Sequence, residues 1–216
     1  MKSKKINILL WLSSILFITF SIRTLLLGVY KVSSVSMSPT LNSGDFVLSY
    51  KLAYIQKSPQ INDVIIFSRP EKLGQSFIKR VVAGPGDEIT LSKNKLKINQ
   101  IECEYKELIK QSEFTIWHEM CLDANKSKLV RKIATANDQR LKLSTNIKFN
   151  LGPNEYYVMG DHRDTSEDSR EWGPIKLEQI QGKVFILFLS WAATQDSKYE
   201  LNSFWPTRVL TSIDYH

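Results

Sequence analysis

Ser76-Phe77-Ile78-Lys79-Arg80-Val81-Val82-Ala83, closed by Gly84-Pro85-Gly86-Asp87, decides the fold. The octet is rich in β-branched and aromatic residues, and the tetrapeptide after it is a strong turn signal. The same grammar recurs on both sides. Val64 to Phe67 reads V-I-I-F, a fully apolar strand of the kind buried on both faces. It follows Asn62-Asp63, a turn dipeptide in which asparagine tolerates positive φ almost as glycine does. Phe46 to Ser49, Glu88 to Leu91, Lys95 to Ile98, Tyr156 to Met159 and Val184 to Trp191 read as further strands. Many short strands with turns between them predict a mainly β fold built on an antiparallel sheet.

Between Glu102 and Thr145 the chain becomes polar and lysine-rich, with short alternating pieces such as Phe114-Thr115-Ile116-Trp117. This predicts a smaller β-rich insertion at 102–145, interrupting a larger β-domain of 29–101 and 146–216. The two cysteines, Cys103 and Cys121, are too few and too far apart for structural zinc. They suit either a disulfide across a hairpin or two buried thiols; the disulfide would stabilise by about 3 kcal/mol.

The N-terminus has a different character. Lys2, Lys4 and Lys5 precede the uncharged run Ile6 to Ile22, and apolar residues resume after Arg23. The apolar core is long for a removable signal peptide, and no Ala-x-Ala-like cleavage site follows it. The expectation is a cytoplasmic segment at 1–5 and a transmembrane helix at 6–28, with Arg23 snorkelling and the remainder outside. The 216 residues carry a formal net charge of +7, but the basic residues are scattered and form no recognition helix or stacking surface. Nucleic acid is therefore not an expected partner.

Ser33 to Leu41 reads S-S-V-S-M-S-P-T-L, an ordered turn between the N-terminal segment and the first strands. Pro39 fixes its own φ and biases Ser38 away from helix. Such serines can shape a turn or present one reactive hydroxyl, and a reactive serine needs a base. Of the three histidines, His118, His162 and His216, only His162 in the charged loop after Gly160 is placed to serve in a triad. The competing base is Lys79. Strand alternation puts it on one face with Phe77 and Val81, where desolvation would favour the neutral amine. Lowering a lysine pKa from about 10.4 to about 8 corresponds to roughly 3.3 kcal/mol of disfavoured charge, within the reach of burial. A lysine on the solvent face of a half-exposed strand is the alternative.

Taken in order, these stretches resemble the type I signal peptidases, the membrane-anchored Ser/Lys endopeptidases. The resemblance is carried by Ser36-Met37-Ser38-Pro39-Thr40-Leu41 with Gly44-Asp45, by Asn62-Asp63-Val64-Ile65-Ile66-Phe67, and by Ile78-Lys79-Arg80-Val81-Val82 with Pro85-Gly86-Asp87. The last box is Gly160-Asp161-His162-Arg163-Asp164-Thr165-Ser166-Glu167-Asp168-Ser169-Arg170 with Trp172-Gly173.

The resemblance implies Ser36 as nucleophile, attacking from the si face, and Lys79 as general base. It implies Ser34 and the Ser36 N–H as the oxyanion hole, and Ser166 as the hydroxyl orienting the lysine amine. Supporting ion pairs would be Asp161 with Arg80 and Asp168 with Arg170. Val32, Phe77 and Ile78 would line shallow substrate pockets. No metal and no cofactor are implied. The partners would be the lipid bilayer and signal peptides of exported preproteins, met by a catalytic domain on the outer side of the plasma membrane. Val35 stands where many members have glycine, and narrows the backbone conformations beside the oxyanion hole. Two other readings share parts of the pattern: a Ser/Lys peptidase dedicated to a conjugation or pilus system, and a non-catalytic membrane-anchored β-domain that binds exported chains.

Overall fold

A computed structural model describes residues 2–69, 71–72, 74–92, 95–122, 126–137, 146–190 and 211–212. The turn at Lys93-Asn94, the end of the insertion from 138 to 145, Trp191 and His216 lie outside the described residues. The chain begins with a helix, α1 (Lys2–Leu26), which runs directly into strand β1 (Leu27–Lys31). The helix therefore stops two residues short of the expected boundary at 28, because Leu27 and Gly28 are drawn into pairing with Tyr50 and Ser49. Among the described residues no helix is long and apolar enough to cross a membrane.

The remaining elements are nearly all strands. They are β2 (Asp45–Tyr50), β3 (Val64–Ser68), β4 (Ser76–Ala83), β5 (Glu88–Ser92), β6 (Lys95–Ile98), β7 (Ile101–Glu102), β8 (Glu104–Lys110), β9 (Phe114–Leu122), β10 (Lys128–Ala136), β11 (Ile147–Asn150), β12 (Glu155–Met159), β13 (Ile175–Lys176), β14 (Ile180–Ser190) and β15 (Thr211–Ser212). The second helix, α2 (Ser169–Trp172), is a single turn capped by the Asp168 side chain. The antiparallel, mainly β expectation holds, and the octet at 76–83 is a strand over its whole length.

The main sheet runs β1-β2-β14-β3-β4-β12-β13, with β15 on β14. Strand β3, with Ile65, Ile66 and Phe67 wholly buried, sits inside this sheet as its unbroken apolar run requires. Each such side chain contributes roughly 1.5–3 kcal/mol by leaving water. Strand β14 begins four residues before the expected Val184, because Gly182 and Lys183, which interrupt the apolar run, still pair with Ile66 and Ile65 of β3. Gly182 is required there, since a Cβ would lie 2.7 Å from the Tyr50 carbonyl oxygen. Asn62 adopts φ of 78°, so the asparagine takes the left-handed conformation that its place in the turn before β3 predicts.

Two smaller sheets complete the molecule. One is ordered β11-β5-β6-β7, the other β10-β9-β8. The second lies wholly within the predicted insertion, which is β-rich as expected. It has a small apolar cluster of its own, Phe114, Ile116 and Ala134, and it is also tied to the main structure. Cys103 and Cys121 are joined by a disulfide and lie in one apolar cluster with Val82, Ala83, Ile89, Leu96, Tyr157 and Met159. Of the two readings of the cysteines, the structure has the disulfide.

Candidate active site

The turn from Ser33 to Leu41 packs Met37 and Leu41 into an apolar cluster with Val32, Val47, Val64, Ile66, Val184 and Leu187. Ser38 N–H donates to the Val35 carbonyl at 2.9 Å and Leu41 N–H to the Met37 carbonyl at 2.9 Å, closing the turn locally. The peptide bond before Pro39 is cis. Ser38 donates its hydroxyl to the Asn42 side chain at 2.9 Å, so it serves the turn. Buried apolar residues on both sides of the turn thus hold Ser36 in place, and Ser36 itself is buried.

Strand β4 brings Lys79 to this turn. Lys79 Nζ lies 2.7 Å from Ser36 Oγ, and Ser34 Oγ lies 3.0 Å from the same oxygen. Among the described residues these are the two polar side chains within hydrogen-bond distance of the Ser36 hydroxyl. His162 approaches by its backbone, donating its N–H to the Ser36 carbonyl at 3.1 Å. Burial lowers the His162 pKa, against a nearby Asp164 carboxylate that raises it.

Lys79 is 4% exposed. Burial lowers its amine to about 8, outweighing the Asp168 carboxylate, which raises it. Arg170 lowers it further, while Asp161 and Glu167 act in the opposite direction. The desolvation argued from strand alternation is therefore present, but alternation does not describe the end of β4. From Lys79 to Ala83 every residue is buried, because both faces of the strand are covered.

The charged loop after β12 folds back onto this pair. Asp161 takes Arg80 Nε and Nη2 at 2.9 and 2.7 Å, and accepts the Thr40 hydroxyl as well. Asp168 takes Arg170 Nε and Nη2 at 2.7 and 2.8 Å. Both ion pairs named from sequence are thus bidentate; Arg80 and Asp161 are both buried, whereas Arg170 is half-buried against a buried Asp168. Ser166 is buried and donates to Asp168 Oδ2 at 2.7 Å; among the described residues no hydrogen bond joins it to Lys79. Gly160 lies between Ser166 and Ser36. A Cβ there would sit 2.2 Å from Ser166 Oγ and 2.5 Å from the Ser36 carbonyl oxygen.

The three residues expected to line substrate pockets divide. Val32 and Ile78 pack in one cluster, whereas Phe77 stacks on Phe67 at 5.7 Å and belongs to a second cluster with Val81 and Trp172. Three polar contributors escaped the sequence reading. Thr40 binds Asp161 from within the nucleophile turn. Glu119 and Arg131 come from the insertion and form a buried ionic group with Arg163. Alternation along β9 puts Glu119 with Thr115, Trp117 and Cys121, opposite Phe114, Ile116 and Met120, so nothing local in the sequence marks its burial.

The sequence model of the family described as "Signal peptidase, peptidase S26" matches residues 5–191. A protein of Aquifex aeolicus named signal peptidase I is 31% identical over 88% of this chain and 85% of its own length. The protein of that name from Pseudomonas aeruginosa is 29% identical over 82% of this chain and 70% of its own. A crystal structure of a signal peptidase I from Enterococcus faecalis superimposes with a TM-score of 0.38 at 22% identity, covering 59% of this chain and 97% of that one.

Proposed function

The chain belongs to the signal peptidase family, peptidase S26, and we propose that it is a membrane-bound serine endopeptidase that removes N-terminal signal peptides from exported preproteins. The observation that carries this reading is the buried 2.7 Å contact between Lys79 Nζ and Ser36 Oγ. An amine with a pKa of about 8 is neutral often enough near neutral pH to accept a proton.

In this reading Lys79 takes the hydroxyl proton as Ser36 Oγ attacks the scissile carbonyl. The oxyanion forms against the Ser36 N–H and the Ser34 hydroxyl, which turns from Ser36 Oγ to meet it. One such donor typically contributes about 10²–10³ in rate. The Lys79 ammonium then protonates the leaving amine, the signal peptide stays as an ester on Ser36, and water hydrolyses that ester with Lys79 again as base. Ser166, Asp168 and Arg170 hold the Lys79 side of the site, and Asp161 with Arg80 holds the strand. Substrate would bind extended, small side chains entering shallow pockets near Val32, Phe77 and Ile78.

The same reading anchors the chain in the plasma membrane through its N-terminal segment, with the N-terminus cytoplasmic and the β-structure outside, although no described helix meets the length and apolarity of a span. Lys2, Lys4 and Lys5 before the apolar run support that orientation. Trp11, Leu16 and Phe17, each 72% exposed in the folded chain and in want of an apolar medium, support the membrane contact itself.

The test is cleavage of a preprotein in detergent. Ser36→Ala and Lys79→Ala should each abolish it while the fold is kept. Activity retained in Lys79→Ala and lost in His162→Ala would replace the Ser/Lys assignment by a histidine base.

A further inference from the structure

Glu119 lies in the middle of β9, in the inserted sheet, and is fully buried. Its carboxylate accepts from Arg131 Nε of β10 and from both terminal nitrogens of Arg163, in the loop after β12. Arg131 continues the chain of contacts. Its Nη1 donates to Asn62 Oδ1 at 3.1 Å, and the Asn62 backbone carbonyl receives Arg80 Nη1 at 2.8 Å. Arg80 is bidentate on Asp161, two residues before Arg163. The circuit Arg80, Asp161, Arg163, Glu119, Arg131, Asn62 therefore closes on itself.

The backbone follows the same route. Ala134 N–H of β10 donates to the Asp161 carbonyl at 2.9 Å, and Arg163 N–H donates to the Ala134 carbonyl at 2.9 Å. Ala136 N–H donates to Asp164 Oδ2 at 2.6 Å. His162, between these attachments, gives its N–H to the Ser36 carbonyl. The inserted sheet thus grips the loop that grips the reactive serine.

We propose that Glu119 is a positioning residue for the Ser36–Lys79 pair: by joining Arg131 to Arg163 it docks the edge of the inserted sheet on the Asp161–Asp164 loop. That loop then holds Ser36 through its carbonyl and the Lys79 strand through Arg80. Among the described residues Glu119 is the one carboxylate shared by these two guanidiniums. Without it two buried cations face each other, and the loop is driven off β10. The insertion is then part of the catalytic apparatus. The inference rests on the Ser/Lys peptidase reading above.

The test uses the full chain in detergent micelles with a preprotein substrate. Rates are expressed per active site, titrated with an acylating, serine-directed inhibitor. Glu119→Gln should lower kcat per titrated site about 10-fold to 100-fold, with KM changed less than about twofold, and Glu119→Asp should recover part of the loss. A role confined to stability would reduce the number of titratable sites and leave kcat per site unchanged, which overturns the proposal. Should Glu119→Gln fail to fold, the double variant Glu119→Gln with Arg131→Met removes the repulsion between the arginines at similar volume. It still lacks the carboxylate that joins β10 to Arg163, so kcat per site should stay several-fold below wild type, and wild-type kcat per site in it equally overturns the proposal. Cleavage by the wild type that Ser36→Ala abolishes is the control. Its absence would strike the peptidase reading and this inference together, whereas normal kcat in the Glu119 variants strikes the inference alone.

Discussion

Lys79 Nζ and Ser36 Oγ stand 2.7 Å apart although 43 positions separate them in the chain. One comes from a strand inside the main sheet and the other from a turn packed beside it. The contact needs the sheet order, the apolar turn and the charged loop together.

The pH dependence follows from the Lys79 amine. At pH 7 an amine of pKa about 8 is neutral in roughly one molecule in ten. The value of kcat/KM for preprotein cleavage should therefore rise from pH 6 to pH 9, with an apparent pKa near 8. A profile peaking near pH 6 and falling towards pH 9 would exclude a lysine base.

Stability should move in the opposite sense to function when Lys79 is replaced. Its folded pKa is about 8 against 10.5 unperturbed, so between those values the unfolded chain binds the extra proton. The folded state carries the full penalty below pH 8, and loses it as pH rises towards 10.5. Lys79→Met should stabilise by about 2–3 kcal/mol at pH 7, with the difference vanishing near pH 10.5. Denaturant unfolding at the two pH values measures it; a gain that is equal at both would refute the linkage.

Gly160→Ala should be nearly inactive. Its Cβ meets the Ser36 carbonyl oxygen and the Ser166 side chain, so relief of the clash displaces one wall of the site or the other. A shift of about 1 Å costs on the order of 100-fold in rate. Steady-state kinetics of the folded variant decide; a kcat within a few-fold of wild type would mean that the loop gives way harmlessly.

Replacing both Cys103 and Cys121 by serine should cost about 3 kcal/mol, the loop-closure term for a bridge of this span. Unfolding under non-reducing conditions would show the loss. A cost below about 1 kcal/mol would mean that the surrounding apolar cluster suffices to hold the inserted sheet.

Much of the fold was legible because it is written in local chemistry. The apolar run 64–67, the turn at 84–87 and the left-handed Asn62 each follow from residue type and neighbours. Lys79 was legible as a candidate base for the same reason, since strand alternation assigns it an apolar face. Strand β14 was under-read, because Gly182 looks like an interruption until the Tyr50 carbonyl is seen against it. The insertion was visible as a change of composition, but its attachment was not: Glu119, Arg131 and Arg163 are ordinary charges until they are buried together.

The sequence by itself determined most of the strands and where they turn, because periodicity, β-branching and turn chemistry act over a few residues; Ser36 and Lys79 stood out as a candidate pair only through the resemblance to a family. Only the tertiary structure decided that Cys103 meets Cys121, that Ser166 gives its hydroxyl to Asp168, and that Phe77 and Ile78 pack in separate clusters. It also decided that the inserted sheet reaches the Ser36 carbonyl through the Asp161–Asp164 loop. These contacts join residues far apart in the chain. Their partners are selected by burial, where an unpaired charge or hydrogen-bonding group is too costly to leave alone.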